Sequence, residues 1–444
     1  MRIVYLAAGA AGMYCGSCLH DNTLAAALLE AGHDALLVPT YTPIRTDETD
    51  VSIRRVFFGG INVFLQQKSA LFRHTPWLVD SLFDSPALIK LATRGGPSVE
   101  AEKLGELTVS MLAGRDGNQR KELEKIVYWL RHEARPDIVH LSNSMFVGMA
   151  GPIRELDVPV VCTLSGEDLF LEKIPPPHYE QARRLLREQS QHVDAFVAMN
   201  HYYARFMTDY LGVSPQRVHV IPHGLKLEGH GTRRAVSSDG SRTIGYLARI
   251  CPEKGLHLLV AALEQLMDDP EVPPLRLRAA GYLGDLDRPY LETIRARVRT
   301  WRQPDRFEYV GELDRAEKIA FLESLDVLSV PTVYHESKGL PALEAMANAV
   351  PVVLPAHGVF PELVEDTGGG VLHEPENPTS LAAALKGLLL DADRAAALGR
   401  AGQQAIRDRY HAAGMAERTA GLYRDLLSKR TGEVAGTQAV PRGF

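Results

Sequence analysis

ESKGLPALE, running from Glu336 to Glu344, sets two glutamates eight positions apart with Gly-Leu-Pro between them. Pro341 suits the first position of a helix, where its missing N–H is no loss and its fixed φ is already helical. Lys338, Gly339 and Leu340 then form the turn whose unpaired N–H groups point out of the helix N-terminus. Such a terminus takes phosphate through those donors and through the positive end of the helix dipole. Glu344 falls one turn inside the helix and Glu336 on the loop before it. A phosphate cradle flanked by two hydroxyl acceptors describes a site for a sugar nucleotide. Taken alone, the residues also allow a plainer reading, with Glu344 complementing the dipole and Glu336 solvated on its loop.

Working outward, EAMANAVPVVLP runs from that helix into a buried strand, and DVLSVPT (Asp326–Thr332) is a short β-branched strand leading into the Glu336 loop. The segment is strand–loop–helix–strand, a parallel α/β unit. In open α/β sheets ligands bind beyond the carboxyl ends of the strands, which is where this loop falls. A second unit of the same kind is IGYLARICPEKGLHLLVAAL. There a strand (Thr243–Leu247) leads to Arg249, then to Lys254 and Gly255, then to an apolar helix.

These two segments together resemble the retaining GT-B glycosyltransferases of family 4, whose hallmark is a glutamate, seven residues, and a second glutamate followed by Ala-Met-Ala. The resemblance implies an α/β chain of two Rossmann-like domains facing each other across a cleft. It further implies that Arg249 and Lys254 clamp the donor diphosphate, that Glu336 holds hydroxyls of the donor sugar, and that Glu344 grips the ribose diol. Gly339 and Leu340 would add backbone N–H groups at the phosphate. A departing nucleoside diphosphate gains negative charge, and fixed cations aimed there lower the barrier. The implied donor is a UDP-, GDP- or ADP-linked sugar. No metal and no further cofactor is expected, since arginine and lysine supply the charge.

Length and composition agree with two α/β domains: 444 residues exceed one core, and halves of about 200 residues are the natural division. The net charge of −6 gives no sign of nucleic-acid affinity. MRIVYLAAG begins directly with a buried strand, so no signal peptide is expected. No apolar stretch reaches the length of a membrane span. Four cysteines make no disulfide framework, and a reducing cytoplasm is the default.

The amino-terminal half opens with strand Ile3–Ala7, the small-residue loop GAAGMYCGSC, and a helix through Leu24 to Leu29 that ends at Gly32. Family members carry a glycine pair before this helix, close to donor phosphate and acceptor. Here Gly16 is retained and Cys15 departs from the pattern. Cys15 and Cys18 form C-x-x-C, yet Cys162 and Cys251 lie singly, so small packing residues in a tight loop are favoured over a metal or redox site. His20 and Asp21, on the first helix turn, are candidates for touching an acceptor; dipole complementation is the alternative for Asp21. RPDIVHLSN (Arg135–Asn143) matches the family's Pro-Asp-x-x-His segment. VPVVCTLSGEDLF (Val158–Phe170) follows, with Ser165 where relatives often have histidine. Glu167 and Asp168 are further acceptor-side candidates, or else caps of a turn. FFGGINVFLQ resembles the corresponding hairpin of starch and glycogen synthases. Trp77, Leu78, Leu82 and Phe83 make an apolar cluster, suited to the core or to peripheral membrane contact.

The expected domains are 1–228, binding acceptor, and 241–415, binding the nucleotide sugar. A helix over 416–430 would cross back to the first domain, and 431–444 reads as a disordered tail. The expected activity is transfer of a sugar, with retention, to a hydroxyl acceptor: a glucan, a lipid-linked sugar or a small metabolite. The competing readings are another GT-B sugar-nucleotide enzyme, epimerase or phosphorylase, and a non-catalytic sugar-nucleotide sensor. The sequence fixes neither donor base, acceptor nor oligomeric state. The expected location is cytoplasmic, with peripheral attachment to the inner membrane face as the variant.

Overall fold

The computed structural model describes residues 1–9, 16–53, 101–231 and 240–437. Cys15, the FFGGINVFLQ hairpin, the Trp77 cluster and residues 232–239 lie outside the described residues. The chain divides into two units, Met1–Pro222 with Ala412–Phe444, and His223–His411.

The amino-terminal unit is built on a parallel six-stranded sheet of order β2-β1-β3-β4-β5-β6. Its strands are β1 (Arg2–Ala7), β2 (Asp34–Pro39), β3 (Ile138–Leu141), β4 (Val160–Leu164), β5 (Ala195–Ala198) and β6 (Val218–Val220). Because helices cover both faces, the strands read as continuous apolar runs rather than alternating ones. On β1 the period of two still sorts the side chains. Val4 and Leu6 enter one core, whereas Ile3, Tyr5 and Ala7 enter the other. Helix α1 (Gly16–Glu30) lies in the second core and is buried nearly all round.

The carboxy-terminal unit carries β7 (Arg242–Leu247), β8 (Leu275–Ala280), β9 (Phe307–Gly311), β10 (Val327–Ser329), β11 (Val352–Pro355) and β12 (Gly370–His373). Their order is β12-β11-β10-β7-β8-β9, all parallel. Read from β9, this is the doubly wound 3-2-1-4-5-6 order, with the chain reversing direction across the sheet between β7 and β10. Three helices bear on the site: α2 (Leu256–Met267), α3 (Arg315–Glu323) and α4 (Leu340–Ala347).

The unit boundary lies earlier than the polar stretch 228–241 suggested. Leu225 N–H donates to Tyr410 O at 2.8 Å, and Arg315 donates to the carbonyls of Lys226 and Glu228 at 2.8 and 2.6 Å. Gly231 N–H donates to Asn348 Oδ1 at 2.8 Å. Backbone polar groups need partners, and those of this segment find them in the carboxy-terminal unit. After His411 the chain returns to the amino-terminal unit as α5 (Ala412–Thr437), which packs on α1 through buried Met415, Ala416, Ala420 and Tyr423. This helix starts before Ala416 and continues past Thr431, where a disordered tail was expected. Among the described residues no helix is long and apolar enough to cross a membrane.

Candidate active site

The loops after β7 and β10 emerge side by side at the reversal point of the carboxy-terminal sheet. After β7, Arg249 is exposed, and a 3-10 turn over Pro252–Lys254 ends at Gly255 with φ +75°. A Cβ on Gly255 would stand 1.8 Å from Pro331 O, so only glycine lets the start of α2 approach the β10 loop this closely. Val333 N–H donates to Glu253 O at 3.0 Å and ties the two loops together.

That approach brings Lys254 to Glu336. The ammonium lies 2.7 Å from Glu336 Oε2, with both side chains largely buried. Tyr334 O–H donates to the same Oε2 at 2.8 Å and also meets Lys254 Nζ. Oε1 accepts the N–H groups of Ser337 and Lys338 at 3.0 and 3.2 Å. Burial alone would raise the carboxyl pKa. The Lys254 charge, with the hydrogen bonds from Lys254, Tyr334 and Lys338, overcomes it and holds the pKa down at about 2. Glu336 O also accepts from Val359 N–H at 2.8 Å, and Gly358, with φ +60°, leaves room for the Glu336 backbone.

Three residues past Glu336, Gly339 adopts φ +70° and α4 begins at Leu340, with Pro341 in its first turn. No acceptor among the described residues meets the Gly339 or Leu340 N–H. These donors and the helix dipole make the terminus attractive to an anion. Glu344, one turn inside α4, is buried and paired with Lys318 Nζ of α3 at 2.5 Å. The sequence reading missed Lys318 and Tyr334. Lys318 sits on a helix whose approach only the fold decides, and Tyr334 looks like one more aromatic residue of a loop.

The acceptor-side candidates sit differently. Gly16 is exposed at the start of α1. His20 and Asp21 are buried, and Asp21 Oδ1 accepts from Tyr5 O–H at 2.7 Å. Glu167 is buried, accepting N–H groups of Ser144 and Ser165 at 2.7 and 2.8 Å and the Tyr203 hydroxyl at 3.2 Å. Asp168 accepts from that hydroxyl at 2.6 Å. Burial raises the carboxyl pKa of both Glu167 and Asp168, against the pull of these bonds. His140, in the Pro-Asp-x-x-His segment, faces the core: its ring nitrogens lie 2.5 Å from Tyr423 Oη and 2.8 Å from Thr163 Oγ1. Cys18 is buried. Among the described residues no group of three or more His, Cys, Asp or Glu is placed to hold a metal ion.

Two parallel six-stranded sheets, one with cation, carboxylate and helix terminus gathered at its reversal point, define a doubly wound α/β protein with an anion-attracting loop pair. Comparison with known proteins gives the family. Residues 232–405 match the glycosyl transferases group 1 model and residues 89–228 the Glycosyltransferase Family 4 model. A D-inositol 3-phosphate glycosyltransferase of Kineococcus radiotolerans is 32% identical over 332 residues, covering 68% of this chain and 75% of that protein. A 2-deoxystreptamine glucosyltransferase of Streptomyces kanamyceticus is 27% identical, covering 63% of this chain and 75% of that protein. The chain belongs to the group 1, family 4 glycosyltransferases. Its fold is GT-B: sucrose-phosphate synthase of Thermosynechococcus elongatus superposes with a TM-score of 0.70 at 19% identity, over 96% of this chain and 99% of that one. Anabaena HepE in complex with UDP and glucose gives 0.64 at 18% identity, over 96% of this chain and 100% of that one.

Proposed function

We propose that this glycosyltransferase moves a hexose from a nucleoside diphosphate donor to a hydroxyl of a small cyclic polyol, with retention at the anomeric carbon. The Lys254–Glu336 pair beside the α4 terminus carries the donor half of this reading. The bond from the anomeric carbon to the phosphate oxygen breaks, and its electrons go to the diphosphate. Arg249 and Lys254 stabilise that charge, assisted by the N–H groups of Gly339 and Leu340. The acceptor oxygen joins the anomeric carbon on the same face, and its proton passes to the departing phosphate oxygen.

Glu336 has all four of its hydrogen-bonding directions occupied in the free protein. It takes a sugar hydroxyl on Oε2 when the Lys254 ammonium turns to the diphosphate. Glu344, fixed by Lys318, takes the ribose diol. No metal enters the scheme, so EDTA leaves turnover unchanged. The acceptor class draws on the two relatives, whose names specify an inositol phosphate and 2-deoxystreptamine. The first donors to try are UDP-linked, because HepE was solved with UDP and with UDP-glucose.

Incubation with UDP-, GDP- and ADP-sugars, with D-inositol 3-phosphate or 2-deoxystreptamine, tests the reading. The expected result is acceptor-dependent release of nucleoside diphosphate and a product with the donor's anomeric configuration by NMR. An inverted product would remove retention. Absence of both turnover and nucleoside diphosphate binding would remove the donor site.

A further inference from the structure

Among the described residues the Lys254 ammonium has two partners, and of these Glu336 belongs to the motif. The other is Tyr334. Its hydroxyl meets Lys254 Nζ and donates to Glu336 Oε2 at 2.8 Å, while the ammonium stands 4.9 Å from the centre of its ring. A flexible lysine stem loses rotamer freedom when it is held, so an unrestrained ammonium would be a poor anchor for a diphosphate. The tyrosine is itself held. Thr332 Oγ1 donates to Tyr334 O at 3.1 Å, and the Val333–Glu253 bond fixes the backbone just before it. Burial and the neighbouring carboxylate push the phenol pKa far up, so this group stays a neutral donor.

We propose that Tyr334 is a positioning residue of the donor site, bridging Lys254 and Glu336 so that the ammonium is aimed before the diphosphate arrives. When the ammonium turns to phosphate, the phenol remains on Oε2 and keeps the carboxylate in place. This inference rests on the donor reading above, and it concerns a residue outside the paired-glutamate motif. Tyr334→Phe is the informative change, because it keeps the ring and its contact with the cation while deleting the bridge.

The experiment measures affinity for whichever of UDP, GDP and ADP the wild type binds best, by calorimetry, in the wild type, Tyr334→Phe, Lys254→Ala and the double variant. Thermal melts accompany each. A charge-assisted hydrogen bond lost here weakens binding by about tenfold. The double variant should bind within about twofold of Lys254→Ala, since the tyrosine acts through the lysine. Below pH 5 the Tyr334→Phe protein should lose affinity at a higher pH than the wild type, because Glu336 has one donor fewer. A purely structural role would lower the melting temperature and leave that acid limb where it was. Wild-type affinity in Tyr334→Phe, or additive losses in the double variant, would overturn the proposal while the donor site stands. Unchanged affinity in Lys254→Ala, or no binding of any of the three nucleotides, would remove the donor reading and this inference with it.

Discussion

The two sheets reverse at comparable places, between β1 and β3 in one unit and between β7 and β10 in the other, yet they use their polar residues in opposite ways. At β7/β10 the charged groups sit on the exit loops, and an ion pair of low exposure stands beside a helix terminus with unpaired N–H groups. At β1/β3 the polar residues on the strands and α1 are turned inward. Tyr5 bonds Asp21, His140 lies between Tyr423 and Thr163, and Asn22 bonds the backbone of Thr49 and Val51. Buried polar groups must be satisfied. At β1/β3 that satisfaction makes a scaffold, whereas the β7/β10 pair is the one the proposed function opens to a donor.

The sharpest way to break this contrast is substitution at each reversal point. Lys254→Ala should lower kcat by about 10²- to 10³-fold, the cost of losing one leaving-group stabiliser. Tyr334 and two backbone N–H groups still hold Glu336, so the fold survives, as a urea melt should show. Asp21→Asn, by contrast, should change kcat/KM less than tenfold while lowering stability. A loss at Asp21 equal to that at Lys254, with an unchanged melt, would move Asp21 from scaffold to acceptor site.

Gly255→Ala tests the approach of the loops. Its Cβ would collide with Pro331 O and its φ is left-handed, so a destabilisation of about 2–4 kcal/mol and loss of nucleotide affinity are expected. Glu336→Gln tests the pair by pH. The carboxyl pKa is about 2 folded against an ordinary 4.5, so its stabilisation is complete above about pH 4.5 and is lost as pH falls toward 2. The wild type should therefore exceed Glu336→Gln by on the order of 3 kcal/mol at pH 7, a gap that shrinks steadily below pH 4.5. The smallest effect should be Tyr423→Phe, which leaves His140 short of one partner. About 1–2 kcal/mol of stability is expected to go, with donor affinity unchanged. A donor defect there would break the contrast.

Much of this was legible in the chain. Central strands of both sheets appear as short β-branched or apolar runs, such as Val160–Leu164 and Val352–Pro355, because strands buried on both faces admit little else. The turn at Gly339 and the glutamate before it could be picked out as candidates because the start of a helix is a local feature. Glu167 and Asp168 show the weaker side of such reading. Their side chains suit sugar hydroxyls, and nothing in SGEDLF reveals that Tyr203 and the Ser144 amide already hold them.

The sequence by itself determined the alternation of strand and helix, the turn at Gly339 and the charge types near it, all of which depend on neighbours within a few residues. Only the tertiary structure decided who pairs with whom. Lys254 and Glu336 are 82 positions apart, and Tyr423 reaches His140 across 283. Such partners are chosen by strand order and by which helix covers which face, quantities set by the summed burial of many side chains and carried by no short stretch of the chain.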